Sequence, residues 1–235
     1  MAKLIVVLHR AGLRAGLRAG LRAGPGAGLG APSLRAALAA AGATALAVNV
    51  DDADVAPALR FGPGEPVTAL VSVWTGGDPA EAIAAVAEAA GEPAPPAYRV
   101  TERVRLDPAP VPDGVRADVF AQVALLRRPA SMTREEYLRY WMVHHTPIAI
   151  RTQGTVAYVQ NVVEEALTPS SPDIAGIVEE HFPMAALTDP HAFYGSRGDD
   201  AELRRRTAEL MESVGRFGAD RDLDLVPTSR YSWRL

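Results

Sequence analysis

The sequence predicts an α+β protein made of two consecutive halves, each ordered strand, helix, strand, strand, helix, strand. Three observations carry this. Short apolar runs of strand length alternate with helical segments that carry their own start and stop signals. The stretch Asp107-Pro-Ala-Pro-Val-Pro-Asp-Gly114 reads as a proline-stiffened linker, dividing residues 1–112 from residues 113–235. Local patterns also recur. Val7-Leu-His-Arg10 parallels Leu125-Leu-Arg-Arg128, Ala47–Ala53 parallels Tyr158–Ala166 with a small gap, and Val67–Trp74 parallels Ile174–His181. We read the recurrence as an internal duplication.

In the first half, Leu4–Leu8 is predicted as a strand, with a helix capped by Ser33 running to about Ala41. Strands follow at Ala45–Val50 and Val67–Trp74. Asp78 then caps a helix with Pro79 at its first position, a favoured pairing, and Gly91 ends it. Tyr98–Leu106 is the last strand of this half. Residues 11–32 interrupt the pattern. Ala-Gly-Leu-Arg repeats three times from Ala11 to Arg22, and a glycine-rich run follows. A glycine every fourth residue costs a helix about 1 kcal/mol each relative to alanine, so a low-complexity insertion is expected.

In the second half, Val119–Leu126 is predicted as a strand. Thr133 and Glu136 form a Thr-x-x-Glu capping box, placing a helix start at about Arg134. Pro147 is expected to end that helix, because the residue before proline disfavours the helical region. Tyr137, Trp141 and His145 are spaced four apart and share one face. Thr155–Val163 and Ile174–Glu180 are strands. A helix from about Ala201 to Val214 presents Leu203, Thr207, Leu210 and Val214 on one side. Leu223–Val226 and Arg230–Trp233 close the chain as extended segments.

Composition narrows the function classes. The chain has 235 residues, 48% hydrophobic and 22% charged, which suits a globular protein of one large or two small domains. A formal charge of -4 leaves no general basic footprint for nucleic acid or an anionic membrane. There is no cysteine, so disulfides, thiolate metal sites and a cysteine nucleophile are excluded. No run approaches a membrane span, and a cytoplasmic location is the expectation.

Two rival chemistries can be weighed from spacing. His144, His145, His181, Glu179 and Glu180 are the available metal ligands. Adjacent helix residues point about 100° apart, so His144 and His145 do not ligate together comfortably, and no metal is expected. The Leu4–Leu8 strand, Gly26-Ala-Gly-Leu-Gly30 and Val48-Asn-Val-Asp51 mimic a dinucleotide-binding unit. The glycines, however, stand far from the strand where a tight turn is required. No cofactor is expected.

The second half resembles the EthD family, small proteins of the dimeric α+β barrel superfamily. The residues that carry the resemblance are Met132, Glu135, Glu136, Tyr137, Tyr140, Trp141, His145, Pro147, Ile148 and Ala149. Tyr158-Val-Gln-Asn161 follows, then Asp173 and Ile177-Val-Glu-Glu-His-Phe182, with His181 where the family usually has tryptophan. The first half keeps the order of elements, lacks the His and Tyr-x-Gln-Asn signatures, and carries Trp74 where His181 sits. The resemblance implies two ferredoxin-like βαββαβ halves closing one α+β barrel within a single chain, where relatives use two subunits. Such a fused barrel could be a monomer or a homodimer.

The resemblance also implies a pocket between the second sheet and its helices, bordered by His145. His145 and Glu179 are the expected catalytic residues, with Glu179 orienting the imidazole. Tyr137, Trp141, Tyr158, Gln160, Asn161 and His181 are the expected ligand contacts, with Tyr158 and Gln160 or Asn161 holding a carbonyl or enolate oxygen. On spacing alone, His145 also reads as a core-edge histidine bonded to a backbone carbonyl. The expected function is a cofactor-free enzyme moving a proton on an aromatic or polyketide-like metabolite, leading to dehydration, cyclisation or isomerisation. A non-catalytic small-molecule binding or accessory protein and a cofactor-independent monooxygenase are the alternatives.

Overall fold

Eight antiparallel strands close into a barrel in the order β1-β3-β2-β8-β5-β7-β6-β4, with helices packed outside it. The structure is a computed structural model and describes residues 1–9 and 28–235. The Ala-Gly-Leu-Arg repeat lies outside the described residues.

The strands of the first half are β1 (Ala2–His9), β2 (Ala43–Val50), β3 (Val67–Thr75) and β4 (Ala97–Leu106), with helices α1 (Pro32–Ala40) and α2 (Pro79–Ala90) between them. Their order within the barrel is β4-β1-β3-β2. Asp78 caps α2 through its carboxylate and the Ala80 N–H, and Gly91 closes the helix with φ 70°. Ser33 does not cap α1. Ala31 occupies that position with no side-chain bond, and Pro32 supplies the pre-set φ of the first turn instead.

The second half runs β5 (Phe120–Leu126), α3 (Arg134–Arg139), α4 (Thr146–Thr152), β6 (Ala157–Ala166), β7 (Gly176–Phe182), the short α5 (Pro190–Tyr194), α6 (Asp200–Arg216) and β8 (Leu223–Arg234). Its strands stand in the order β8-β5-β7-β6. The two sets join along β2–β8, where Asn49 pairs with Arg230, and along β4–β6, where Val100 pairs with Val163. The capping box forms as the sequence predicts, with Thr133 and Glu136 each bonding the other's backbone.

Two expectations are corrected. Pro147 does not end the helix that starts at Arg134. The segment widens to a π-helix over Tyr140–His145 and re-enters α-helix at Thr146, so that Pro147 falls in the first turn of α4. The π turn shifts the hydrogen-bond register ahead of Pro147, with the Thr146 N–H donating to the Trp141 carbonyl, and Pro147 has the backbone geometry of a first helical turn. The extended segments at the C-terminus are one strand. Residues 223–228 of β8 pair with β5 and residues 229–234 pair with β2, so the changeover falls between Thr228 and Ser229.

Strand alternation sorts the side chains into two buried sets. Ile5, Val7, Leu70, Val123, Ile177 and Val226 fill the barrel interior. Leu34, Leu38, Val71 and Val86 pack the first helices onto their sheet. Tyr137, Trp141, Tyr158, Val178 and Phe217 do the same in the second half. No helix among the described residues is long and apolar enough to cross a membrane.

Candidate functional site

In the second half the layer between sheet and helices is not filled. A cavity of about 550 Å³ remains there, walled by Phe120, Ala124, Tyr158, Val178 and Glu180 from the sheet, Trp141 and His145 from the π segment, and Leu210, Val214 and Phe217 at α6. Ala58, Leu59 and Phe61, from the loop between β2 and β3, complete the wall. That loop crosses from the first half and is pinned by a two-way backbone pairing of Phe61 with Leu225 on β8. A larger groove of about 810 Å³ lies beside α5 and the start of α6, lined by Asp189, His191 and Arg206. It is open and polar, and none of the expected site residues lines it.

His145 is buried and its Nδ1 lies 3.0 Å from the Ser213 Oγ on α6. Its ring packs against Phe217 at 4.7 Å between centroids. Its partner is therefore neither a backbone carbonyl nor Glu179. Burial pushes its pKa down to about 4, so the imidazole is neutral near pH 7. Trp141 is fully buried, lines the cavity, and its indole N–H has no partner among the described residues.

Tyr158 lines the same cavity, and burial raises its phenol well above the ordinary value. Directly across on β7 stands Glu180. Its carboxyl is pushed up to about 8, the cause being burial alone. With its amide turned to donate, Gln153 reaches Glu180 Oε1 at 3.0 Å and the Ala149 carbonyl at 3.2 Å. Gln122 of β5, the strand on the other side of Glu180, also faces the cavity.

The remaining expected residues stand elsewhere. Tyr137 is buried beside Phe217, 5.6 Å between ring centroids, and is not part of the cavity wall. Gln160 lies beneath the π segment, donating to Thr146 Oγ1 at 2.9 Å, while Thr146 donates to the Trp141 carbonyl at 2.8 Å. Asn161, Glu179 and His181 point into the barrel. Asn161 donates to the Ile177 carbonyl at 3.1 Å. Glu179 meets His181 Nε2 at 2.6 Å and Arg230 at 2.8 Å. Burial by itself would raise the Glu179 carboxyl, but Arg230, the His181 bond and Lys3 outweigh it and hold it well below the carboxylate range. Glu179 is thus the anionic centre of an interior ion cluster, on the opposite face of β7 from His145.

The reason is strand parity. Glu179 and Glu180 are neighbours on β7, and only one of them can face the helices. Sequence reasoning did not single out Ser213, and it named Glu180 only as an available metal ligand. Ser213 carried a signal, since it stands three residues beyond Leu210 on the apolar side of α6. Among the described residues, no three His, Asp or Glu side chains converge as metal ligands would.

The EthD domain model matches residues 129–212. No curated protein matches the chain. Among solved structures, an anthrone oxidase-like protein superposes with a TM-score of 0.57 at 12% identity, covering 99% of this chain and 93% of that one. A candidate monooxygenase of Lactobacillus acidophilus NCFM superposes with a TM-score of 0.47 at 10% identity, covering 100% and 98%. The superposition supports the fold, and the family model covers the later segment alone: residues 129–212, which contribute the capping box, the π segment, Tyr158 and Glu180, are similar to the EthD domain.

Proposed function

We propose that this protein is a cofactor-free enzyme that moves a proton on a neutral aromatic, polyketide-like small molecule held in the second-half cavity. The observation that carries the reading is the neutral, buried His145 in a mostly apolar enclosure, with its Nδ1 held by Ser213. Fixing Nδ1 leaves Nε2 as the nitrogen that can meet a ligand. In the tautomer where Nδ1–H donates to Ser213, Nε2 is a free acceptor for a proton on carbon. The volume suits a tricyclic aromatic, since ligand sites of this kind are concave, mostly apolar and carry few polar groups.

The barrel itself supports a finer reading of the chain. We take residues 1–112 and 113–235 as two fused ferredoxin-like βαββαβ halves. The matching orders β4-β1-β3-β2 and β8-β5-β7-β6, and the two junctions β2–β8 and β4–β6, support it. On this reading the first half has lost its own pocket to Leu29, Leu34, Leu38 and Val86, and serves the second half by walling its cavity.

The test uses anthrone, the tricyclic ketone suggested by the name of the superposing protein. Under argon in D2O, mass spectrometry should record deuterium entering the ring methylene faster with enzyme than in buffer. His145→Ala should lower that rate about 100-fold or more while the protein still folds. No enzyme-dependent exchange on anthrone would overturn the reading, as would full exchange by His145→Ala. A second reading, cofactor-independent oxygenation, is favoured by the same apolar enclosure. Readmitting oxygen separates the two, because oxygenation consumes it in step with product and proton transfer does not.

A further inference from the structure

Of the expected holders of a substrate oxygen, Tyr158 lines the cavity, whereas Gln160 and Asn161 do not reach it. Glu180 is the one carboxyl on the inner wall. It is buried on β7 between Tyr158 of β6 and Gln122 of β5. One oxygen is engaged by Gln153, and among the described residues no donor or acceptor holds the other. No cation is set against it. The polar groups that share the cavity wall with it are Tyr158, Gln122, Gln153 and, from the π segment, His145, all neutral near pH 7. Asp220 stands further out among the wall residues with Arg221 as its partner. A carboxyl so placed keeps its proton, since an unpaired buried carboxylate is far costlier than the acid.

We propose that Glu180 is the hydrogen-bond donor and general acid of this cavity, and that the site selects neutral ligands carrying a ring carbonyl, whose oxygen docks on the Glu180 carboxyl. The proposal rests on the proton-transfer reading above and adds its second half. As His145 Nε2 takes the proton from the carbon next to the conjugated system, the C–H electrons form a C–C double bond. The carbonyl π pair moves onto oxygen, and oxygen takes the Glu180 proton. The products are the enol, an imidazolium and a carboxylate. Return of a proton from the imidazolium to carbon, and of the enol proton to Glu180, restores the enzyme. No oxidant or reductant is needed. A donor aimed at the oxygen where charge develops is the larger part of such catalysis.

The test is binding of anthraquinone, which has ring carbonyls and no exchangeable C–H, followed by quenching of tryptophan fluorescence from Trp141. With the Glu180 carboxyl titrating at about 8, wild-type affinity at pH 9 should be about tenfold weaker than at pH 6.5. Glu180→Gln keeps an N–H donor, so it should bind comparably at both pH values, and its thermal transition reports that it folds. Equal wild-type affinity at both pH values, persistence of the pH loss in Glu180→Gln, or no binding by the wild type would overturn the proposal. The two readings fail separately. A wild type that exchanges anthrone yet binds anthraquinone independently of pH removes Glu180 alone. One that binds with the stated pH dependence and never exchanges anthrone removes catalysis and leaves Glu180 as the docking group.

Discussion

At the residue scale, the π segment and β7 approach so closely that Gly176 is the only residue β7 can carry there. A Cβ at that position would overlap the six-membered ring of Trp141. Gly176→Ala should therefore cost about 1–3 kcal/mol through overpacking and displace the indole. A lowered Tm together with a shifted Trp emission maximum would agree. An unchanged Tm would mean that the ring is free to move and that Trp141 is not a fixed wall. His145 and Ser213 illustrate a different limit. The helix-face spacing correctly grouped Tyr137, Trp141 and His145 as buried, yet nothing in the local sequence names a partner 68 positions away. The choice between Glu179 and Glu180 has the same origin. In a strand with one wet face, polar residues mark the outside. All seven residues of β7 are buried, so polarity no longer marks a side.

At the element scale, the segment 134–152 is held at its start by a capping box and in its middle by Thr146, whose backbone N–H and hydroxyl both donate to the Trp141 carbonyl. Thr133→Ala removes the side-chain bond to the Glu136 N–H. It should lower stability by about 1 kcal/mol, a Tm decrease of roughly 2–4 °C for a chain this long. Calorimetry that finds no change would mean the first turn frays already. The start of this element was legible because a cap is a local device, written in four residues. Its continuation through Pro147 was not. A proline ends a regular α-helix, but a π-turn shifts the hydrogen-bond register ahead of it. That widening depends on packing around Trp141 and His145, which the spacing of the residues does not encode.

At the scale of the whole molecule, two buried titratable groups set opposite stability slopes. His145 has its folded pKa lowered to about 4, so the unfolded chain binds more protons below the ordinary histidine value of 6.5. Stability from this group is present above pH 6.5 and is lost as pH falls toward 4. Glu180 has its folded pKa raised to about 8 from 4.5, so the folded chain binds more protons between those values. Stability from this group is present below pH 4.5 and is lost as pH rises toward 8. Between 4.5 and 6.5 the two oppose each other. Between 6.5 and 8 Glu180 acts alone. Tm measured across pH 6.5–8 should fall in the wild type and fall less in Glu180→Gln. Parallel curves for the two proteins would show that Glu180 is ionised in the folded state. The same scale explains why the cavity wall was only partly foreseen. Leu59 and Phe61 belong to a loop of the first half, and they reach the second half's pocket only because β2 and β8 join in one barrel.

The amino-acid sequence by itself determined the order of strands and helices, the capped helix that carries His145 and the EthD-like signature around it. Those features rest on short-range chemistry, namely apolar periodicity, caps, prolines and glycines. Barrel closure decided the rest. It set the register that turns Glu180 toward the cavity and Glu179 toward the interior ions, it brought Ser213 to His145, and it lent the first half's loop to the second half's cavity. Each of these joins residues far apart in the chain through a surface buried on both sides, where the alternation of polar and apolar side chains carries no direction.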